Sequence, residues 1–451
     1  MIKKIFIILL YILLLVYFSN KTIEHFVPDD ILTEFKSVKT LHTLLKKMHN
    51  TLNDIPYWVT GGTLLGAIRE KTIIPWDNNV NIAIMDTNVN KFTNITKGKF
   101  NLNKTPFGFE ITEDNAKMIV YIMKDTNNKI ESINQKNKYY DSKDLFPLKL
   151  CKFEDYQVYI PNNPNNYLDQ NFNNWKKSGQ KDNKHFDLDY NVNDKPYLWR
   201  YWDNKNDNET PAYIQLCMET VNSVCSKSFN IVTLNKHNIL EYLPELKEFN
   251  LIEKVDKLII AHKVDLYRIM LLYKYGGIYM DADIIALKDP IDIINRLDNH
   301  EVVGFGCTGV KCNYGYSQPS NWIIASRPTS ILMGRVLRRL INKLETQDTF
   351  DYHDLGKLII WEEIANLKES DDYIYYHYPN KVDGSRDIDG NWITSAIAFS
   401  NQEINYEDEE GMLFFVIYNS EIPDSIKKMS RSELLSQDWN FTRFIKKTIN
   451  I

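Results

Sequence analysis

The sequence is poor in cysteine and has no excess of basic residues, and both absences exclude classes of protein. Its five cysteines form no Cys-x-x-Cys pairs of the kind that bind zinc. Cys307 and Cys312 are near enough in sequence to pair in an oxidising compartment, and we expect the other cysteines to be buried thiols. Lysine and arginine number 54 against 59 acidic residues, and the formal net charge is -5. Because a nucleic-acid-binding protein normally carries a basic stripe, no nucleic acid partner is expected.

The chain also lacks an apolar run of full membrane-spanning length. Residues 5–18 are apolar throughout and follow Lys3 and Lys4. A run this short is compatible with a membrane anchor or with the apolar core of a secretory signal peptide. No alanine occurs before Ala67, so the small-residue cleavage site of a signal is missing, and the lysines predict a cytoplasmic N-terminus. We therefore predict a signal anchor at residues 1–22 and a single-pass type II membrane protein with non-cytoplasmic catalytic domains.

One stretch, residues 261–286, organises the C-terminal half and reads AHKVDLYRIMLLYKYGGIYMDADIIA. Apolar residues at helical spacing end at Gly276 and Gly277, since glycine accepts the left-handed conformation of a helix C-terminus. A short apolar run, read as a buried strand, then leads to Asp281 and Asp283, which point the same way in an extended chain. Two carboxylates at a strand end predict a site for Mg²⁺ or Mn²⁺ together with a diphosphate. The alternative is a strand that merely ends in two solvated acids.

This stretch resembles the centre of the DXD-containing GT-A glycosyltransferases of family 32 and of the capsular polysaccharide synthesis type. Their pattern is roughly H-x-S-D-x-x-R, an apolar helix, and then Y-x-x-G-G-x-Y-x-D-x-D. This chain departs from it at Val264, where serine is usual, which removes one expected hydrogen bond to the donor. The matching residues are His262, Asp265, Arg268, Tyr273, Gly276, Gly277, Tyr279, Asp281 and Asp283.

The resemblance implies a role for each of these positions. Asp283 would bind Mn²⁺ or Mg²⁺ directly, and Asp281 would contact the ribose or reach the metal through water. It also implies retention of the anomeric configuration. The donor-binding positions that it implies are Asp265, Arg268, Tyr201, Trp202 and Gly277. From the residues alone, Asp265 and Arg268 lie three apart on one helix face and are also placed to pair only with each other, and the two aromatic residues are equally suited to a core.

A second glycine pair, Gly61-Gly62, lies in the N-terminal half. The stretch at residues 57–69, YWVTGGTLLGAIR, predicts a strand that runs into the glycines and then a helix, so that backbone N–H groups face an anion. The sequence IPWDNNVNI follows at residues 74–82. Together these motifs resemble the LicD and fukutin-type nucleotidyltransferase-fold family, whose pattern is GGTLLG, a short helix and I-P-W-D-D-D-I-D. The resemblance covers approximately residues 40–176 and implies an α+β domain.

Two amides stand where that family carries acids. In such folds two alternating acids hold the metals with a third acid from a neighbouring strand, whereas this chain has Asn79, Asn81 and, on the candidate third strand, Tyr121. Asparagine keeps the shape of aspartate but lacks the charge that neutralises a divalent cation. Asp77 remains, and its place before the strand favours a turn. We predict a degenerate, inactive site, with a metal site rebuilt around Asp77 as the alternative.

Further elements are predicted from short apolar runs, helical spacing and capping signals. Strands are expected at residues 196–202, 229–234, 302–306 and 321–325 and a helix at residues 328–344. Ser430 and Glu433 form a capping box for a terminal helix. Candidates for acceptor contacts or a third metal ligand, with no spacing that singles one out, are Trp361, Glu362, His377, Asp383, Asp387 and Trp392.

These patterns predict an α/β protein with several parts, since 451 residues exceed the length of one typical domain. We expect the anchor at 1–22, a LicD-like domain at 30–176, a polar linker at 177–195 and a GT-A, Rossmann-like domain at 196–451. The expected function is a membrane-anchored, metal-dependent glycosyltransferase that uses a UDP- or GDP-sugar and a glycan or glycoconjugate acceptor. The alternatives are a LicD-type phosphotransferase, which transfers phosphocholine or a sugar phosphate, and a non-catalytic glycan-binding scaffold.

Overall fold

The structure is a computed structural model that describes most of the chain from residue 31 to residue 449. The described residues are 31–52, 54–74, 77–114, 116–133, 139–172, 175, 195–204, 209–247, 252–307, 318–367, 373–378 and 384–449. Several predicted features lie outside them: the anchor at 1–22, the linker at 177–195 apart from Lys195, Cys312, and Asp383. Residues 31–451 form one compact unit.

The predicted single-pass membrane localisation is corrected by this structure. Within the described ranges, no helix has both the length and the apolar content that crossing a bilayer requires.

The N-terminal half folds around a mixed sheet. Its strands are β1 Tyr57–Val59, β2 Val80–Met85, β3 Asn101–Thr105, β4 Gly108–Glu113, β5 Ala116–Thr126, β6 Lys129–Ser132, β7 Tyr139–Asp141, β8 Lys149–Phe153 and β9 Tyr156–Ile160. Its helices are α1 Ile31–Thr51, α2 Gly61–Leu65, α3 Val89–Thr96, α4 Ser142–Leu145 and α5 Pro164–Asp169, and a π-helix, Gly66–Glu70, continues α2. The sheet order is β1-β2-β5-β4-β3, with β6 beside β5 and β7 beside β6.

The C-terminal half folds around a second sheet, ordered β11-β10-β12-β15-β14-β16. Its strands are β10 Tyr197–Tyr201, β11 Asn230–Leu234, β12 Gly277–Met280, β13 Ile284–Ala286, β14 Val302–Cys307, β15 Gln318–Ser326, β16 Tyr375–Tyr378 and β17 Phe414–Val416. Its helices are α6 Ala212–Cys225, α7 Ile239–Tyr242, α8 Ile252–Lys257, α9 Ile260–Tyr275, α10 Ile291–Arg296, α11 Ile331–Thr346, α12 Lys357–Ala365, α13 Ser395–Ala398, α14 Asp424–Lys427, α15 Arg431–Ser436 and α16 Asn440–Ile449.

The strand directions place the predicted site at one edge of this second sheet. β10 is parallel to β11 and to β12, while β15 runs antiparallel to β12. The carboxyl ends of β10 and β12 therefore meet at the same edge, where ligands bind in open α/β sheets. The helix before β12, α9, is buried on almost all sides from Asp265 to Lys274, so it lies in the core rather than on the surface. Its buried Lys274 is paired with Glu245 at 2.9 Å.

Helix α11 joins the two halves. Its buried Arg335 donates hydrogen bonds to the carbonyl oxygens of Arg69, at 2.8 Å, and Glu70, at 3.2 Å, at the end of the π-helix. These carbonyls are among those that a helix leaves without an internal partner, and the guanidinium therefore caps the helix. On the same helix, Glu345 pairs with Lys39 of α1 at 3.0 Å.

The mixed α/β class predicted from the sequence is confirmed, and most predicted elements of the second half are found within a few residues. The predicted strand at 321–325 is longer, as β15, and the helix expected from residue 328 begins at Ile331 because Ser330 caps it by accepting from Met333 N at 3.3 Å. The predicted capping box of Ser430 and Glu433 is present.

Candidate functional site

Asp281 and Asp283 follow β12 directly, as the sequence predicted. The Asp281 N–H donates to the carbonyl of Trp322 at 2.8 Å, which ties this turn to β15. Gly276 ends α9 with φ +67° and Gly277 begins β12 with φ +91°. A Cβ on Gly277 would lie 2.3 Å from the carbonyl oxygen of Tyr197, so only glycine fits there. The glycine pair is thus required for the backbone to enter the strand. It also sets where the turn at residues 281–283 begins, which we call the acid turn.

Arg268 connects Asp265 of α9 with Asp281 of the acid turn. Its Nη1 donates to Asp265 Oδ1 at 2.9 Å and its Nη2 donates to Asp281 Oδ1 at 2.8 Å. The guanidinium also lies 4.5 Å from the ring centroid of Tyr279. Arg268 and Asp265 therefore do not pair only with each other, because the arginine extends the pair to the first acid of the turn.

Asp265 is held from a second direction by residues that the sequence pattern did not indicate. Asn321 of β15 donates its Nδ2 hydrogen to Asp265 Oδ1 at 2.7 Å. The backbone at Gly356, before α12, also packs there, since a Cβ on this glycine would lie 2.5 Å from the same Oδ1 atom. Both residues are far from Asp265 in sequence, so no local spacing could have revealed them.

Asp283 is oriented by the chain after β17. The N–H of Asn419 donates to Asp283 Oδ2 at 2.7 Å, and the Asn419 side chain accepts a hydrogen bond from the hydroxyl of Tyr213. The preceding residue, Tyr418, has φ +48°, a left-handed conformation that is costly for a tyrosine. Its ring stacks on Trp392 with centroids 4.9 Å apart. This strained turn directs one backbone N–H at the second acid.

The electrostatics of the acid turn favour a bound cation. Burial raises the pKa of Asp281 to about 7, against the lowering effect of the Arg268 guanidinium, and the neighbouring charges of Asp283 and Asp265 raise it further. Burial likewise raises the pKa of Asp283, opposed by the Asn419 hydrogen bond. Burial alone would lower the pKa of Arg268, but the Asp281 charge and its other partners raise it instead. Two carboxyls that repel each other in a poorly solvated turn gain from any divalent cation between them.

The donor set fits a magnesium or manganese ion only if a ligand completes it. Across the part of the chain that the structure describes, no group of three or more His, Cys, Asp or Glu side chains is arranged to hold a metal. Asp281 and Asp283 each use one oxygen within the protein, which leaves the other oxygen of each for a cation. Hard oxygen ligands suit Mg²⁺ and Mn²⁺, and the remaining ligands would be phosphate oxygens and water.

The predicted aromatic positions lie beside this turn. β10 pairs with β12 at Trp199 and Tyr279, and this register brings Tyr201 level with Asp281. Tyr201 is buried with its ring 5.7 Å from that of Tyr267. Trp202 is half-buried, and its Nε1–H donates to Asn204 at 2.7 Å. The structure therefore brings both residues to the edge that carries the acids.

Several downstream candidates also have partners within the local structure. His377 is engaged on both ring nitrogens, by Tyr375 at 2.7 Å and by the carbonyl of Gly306 at 3.0 Å. Asp387 accepts from Asn391 N at 2.7 Å within a turn. Glu362 pairs with Arg339, and Trp361 donates to the carbonyl of Pro319 at 2.6 Å.

The degenerate site of the N-terminal half is assembled in the same way but without charge. Gly61 has φ +54° and starts α2 beside Asn81, whose Nδ2 atom would lie 3.5 Å from a Cβ on that glycine. The Asn81 N–H donates to Thr63 Oγ1 at 2.7 Å, and Asn79 donates to the neighbouring Asn78 at 2.7 Å. Tyr121 of β5 pairs with Ala83 of β2, so the neighbouring strand supplies a phenol rather than a carboxylate.

Asp77 packs into this site rather than standing at a solvated turn. A Cβ on Gly62 would lie 2.7 Å from its Oδ2 atom, which is buried and has no hydrogen-bond partner among the residues described. Burial raises the pKa of Asp77 to about 7, opposed by Arg69 and reinforced by Glu70. A single carboxyl of this kind is a poor replacement for three metal-binding acids.

The C-terminal half thus carries two carboxylates at the edge of an open α/β sheet where ligands bind. The chain belongs to the capsular polysaccharide synthesis protein family, whose model matches residues 154–380, half of the chain. A model for the LicD/FKTN/FKRP nucleotidyltransferase domain matches residues 54–163. Both resemblances seen in the sequence are confirmed, and they support a glycosyl- or nucleotidyl-transferase function.

Two curated relatives, both described as uncharacterized proteins, match part of the chain. A protein of Rickettsia prowazekii (strain Madrid E) is 33% identical over 153 residues, which are 32% of this chain and 57% of that protein. One of Rickettsia typhi (strain ATCC VR-144 / Wilmington) is 30% identical over 154 residues, 32% of this chain and 48% of that protein. The chain thus spans about half the length of the curated relatives it matches.

Similar solved structures include glycosyltransferases at low scores. The glycosyltransferase GlyE of Streptococcus pneumoniae TIGR4 has a TM-score of 0.33 at 14% identity, covering 54% of this chain and 62% of its own. The PaToxG glycosyltransferase has a TM-score of 0.29 at 16% identity, and the match covers 38% of this chain and 68% of that protein. Mouse xyloside xylosyltransferase 1 has a TM-score of 0.27 at 10% identity, and the match covers 42% of this chain and 87% of that protein. We draw nothing about activity from likenesses at this level.

Proposed function

We propose that this protein is a metal-dependent glycosyltransferase that moves a sugar, most simply a hexose, from a UDP- or GDP-sugar to a hydroxyl of a glycan or glycoconjugate. The observation that supports it best is the hydrogen-bonded series Asp265, Arg268 and Asp281. This series is buried at Asp265 and Arg268 but ends at Asp281, whose side chain is 31% exposed. A buried polar network that opens onto a ligand edge is expected where charge must be held for a substrate.

The protein groups have separate tasks in this proposal. Arg268 fixes the position of Asp281 and offsets part of its charge, while the N–H of Asn419 fixes Asp283. A bound Mn²⁺ or Mg²⁺, held by Asp283 and by Asp281 directly or through water, would neutralise charge on the leaving diphosphate. We assign nucleoside contacts to Tyr201, Trp202 and the backbone at Gly277 on the same edge.

The reaction is a substitution at the anomeric carbon. The acceptor hydroxyl oxygen forms the new bond to this carbon, and the bond to the diphosphate oxygen breaks with its electron pair staying on the diphosphate. The proton of the hydroxyl leaves with the diphosphate. Family membership supports a retaining outcome, in which the diphosphate itself receives the proton on the face that it vacates.

In this proposal the N-terminal half, residues 30–176, is an accessory domain and residues 196–451 are the transferase domain. The neutral amides of Asn79 and Asn81 and the single buried carboxyl of Asp77 support an accessory role. Its contribution is then structural, through the contacts that Arg335 makes with the end of the π-helix.

The experiment is nucleotide release from a panel of UDP- and GDP-sugars by the full chain with Mn²⁺ present. We expect UDP or GDP from a subset of the donors, and we expect EDTA to abolish it. Anomeric configuration of the transferred sugar, read by NMR, tests retention. If no sugar nucleotide releases UDP or GDP and a phosphocholine donor such as CDP-choline is turned over, the chain is a phosphotransferase instead.

A further inference from the structure

A surface formed by Tyr352, Lys357 and Trp361 borders the acid turn and is not used by the donor site described above. Its position is fixed by Gly356, the residue before α12. A Cβ there would lie 2.5 Å from Asp265 Oδ1 and 2.6 Å from Asn321 Nδ2. The first turn of α12 is therefore built directly against the residues that hold Arg268 and, through it, Asp281.

The two aromatic side chains of this surface are partly exposed, Tyr352 by 57% and Trp361 as a half-buried side chain. Tyr352 lies four residues before Gly356 in the sequence, and partial burial, together with the charges of Asp281, Asp265 and Asp283, raises the pKa of its phenol. Trp361 is anchored by its Nε1–H, which donates to the carbonyl of Pro319 at 2.6 Å. Partly exposed aromatic rings are suited to contact with the C–H groups of a sugar ring.

Lys357 adds a positive charge beside the Trp361 ring. Its ammonium lies 5.3 Å from the centroid of the Trp361 ring, and partial burial lowers the pKa of Lys357. Within the ranges described, no carboxylate lies within ion-pair distance of this lysine, whereas Lys343 on the neighbouring α11 has Asp354 at 3.8 Å and Lys254 has Asp348 at 2.8 Å. A half-buried ammonium without an acidic partner is disposed to bind an anion.

We propose that Tyr352, Lys357 and Trp361 form the acceptor subsite, and that the acceptor sugar is anionic, carrying a phosphate or a carboxylate that meets Lys357. This inference rests on the proposed glycosyltransferase function. The rings hold the sugar beside the acid turn, and the ammonium selects its charged substituent. A hydroxyl of the same sugar then faces the anomeric carbon of the donor.

The test measures binding of three matched probes to the full chain by ligand-observed NMR. The probes are glucose, glucose 6-phosphate and glucuronic acid. We expect the wild type to bind at least one of the two anions about tenfold more tightly than glucose, since one charge-assisted contact is gained. Lys357→Met should remove this preference. Tyr352→Ala should weaken binding of all three probes by about threefold and keep the preference. A preference for only one anion identifies phosphate or carboxylate as the recognised group.

The control is Lys117→Met, which removes a partly exposed lysine on β5 of the other sheet and should keep the preference. Equal binding of glucose and both anions by the wild type would overturn the inference, as would a preference that survives Lys357→Met or disappears in Lys117→Met. Thermal melting shows whether each variant is folded. Failure of the wild type to release nucleotide from any donor would overturn the transferase proposal instead, whatever the binding data show.

Discussion

Each half of the molecule has a glycine pair beside a strand and, near it, two polar residues that are two positions apart in the sequence. The two sites differ in what surrounds these polar residues. Asp281 and Asp283 receive hydrogen bonds from a buried guanidinium and from a backbone N–H. Asn79 bonds to its own neighbour, and the Asn81 backbone is held by Thr63. The first arrangement buries two charged groups at a desolvation cost that a bound cation would offset, whereas the second carries neutral amides and the single carboxyl of Asp77.

The difference teaches that a site is better recognised by its supporting charges than by its loop geometry. The loop geometry persists in both halves, with left-handed glycines at Gly61 and at Gly277. Arg268 donates directly to an acid of the C-terminal turn, whereas Arg69 of the N-terminal half pairs with Glu70 at 2.8 Å and acts on Asp77 only through its charge.

The largest effect is expected from Asp283→Asn, which keeps the size of the side chain and removes the charge that would face the cation. Losing one metal-binding carboxylate should lower turnover of the donor by about a thousandfold or more. The measurement is nucleotide release with Mn²⁺ titrated. Asp281→Asn should also be severe but spare some nucleotide affinity. Near-normal turnover in Asp283→Asn would remove the acid turn from the catalytic centre.

The second largest effect is expected from Arg268→Met, which leaves Asp265 and Asp281 without their shared cation. Breaking a buried ion pair from one side should lower the free energy of unfolding by about 3–4 kcal/mol. Urea denaturation of both proteins measures it. The double change Asp265→Asn with Arg268→Met should recover part of the loss, because one unpaired charge is then removed. A stability equal to that of the wild type would show that the series is not buried in solution.

The N-terminal half should contribute a pH dependence of its own, which comes from His42. His42 is enclosed by Tyr156, Thr72 and the N–H of Ile73, and burial lowers its pKa to about 4. The unfolded chain takes up this proton near pH 6.5, so stability is present above that pH and is lost as the pH falls. Between pH 7 and pH 5 the loss from His42 should be about 2 kcal/mol.

His42→Gln isolates this effect. Urea denaturation at pH 7, 6 and 5 should give a smaller decrease in the variant than in the wild type, by about the same amount. Parallel pH profiles for the two proteins would mean that His42 is solvated and protonates freely in the folded state.

A smaller effect is expected at the junction of the halves. Arg335→Met removes the hydrogen bonds to the carbonyls of Arg69 and Glu70 and should lower the free energy of unfolding by about 1–2 kcal/mol. Lys39→Met is the matched control, because it breaks only the surface pair with Glu345 across the same junction and should cost about 0.5 kcal/mol or less. Equal costs for the two variants would contradict the buried cap.

The smallest effect is expected from the double change Asn79→Ala and Asn81→Ala. If the degenerate site takes no part in turnover, nucleotide release should stay within about twofold of the wild type, since neither amide makes a contact that reaches the acid turn. If the double variant folds but no longer transfers the sugar, while Asp283→Asn stays active, the N-terminal half is the catalytic one and the C-terminal half the accessory one.

The sequence was sufficient where the determining contacts are local. The glycine stop after α9, the strand β12 and the place of Asp281 and Asp283 directly after it all depend on neighbours within a few residues, and the structure has them. The partners Asn321 and Asn419 lie 56 and 136 residues from the acids they contact. Such contacts follow from strand order, which no local pattern encodes. The reach of Arg268 to Asp281 was missed for the same reason, because it depends on how α9 packs against β12.

Local patterns also do not report what surrounds an element or a side chain. Asp77 was placed at a turn before a strand, and its N–H does bond to the carbonyl of Ile74 at 2.9 Å, but its side chain in addition packs against Gly62. The helical spacing of residues 261–275 is confirmed as α9, and this helix is enclosed by β10, β12 and α11 and buried on almost every side. Periodicity identifies a helix but does not report how many neighbours surround it.

The cap that Arg335 places on the π-helix also bears on whether either half could stand alone. A chain shortened to the C-terminal half would leave this guanidinium, and the apolar side of α11 around it, without the backbone that they meet in the full chain. A buried cation and its apolar surroundings would then face water, so each half completes the closed surface of the other.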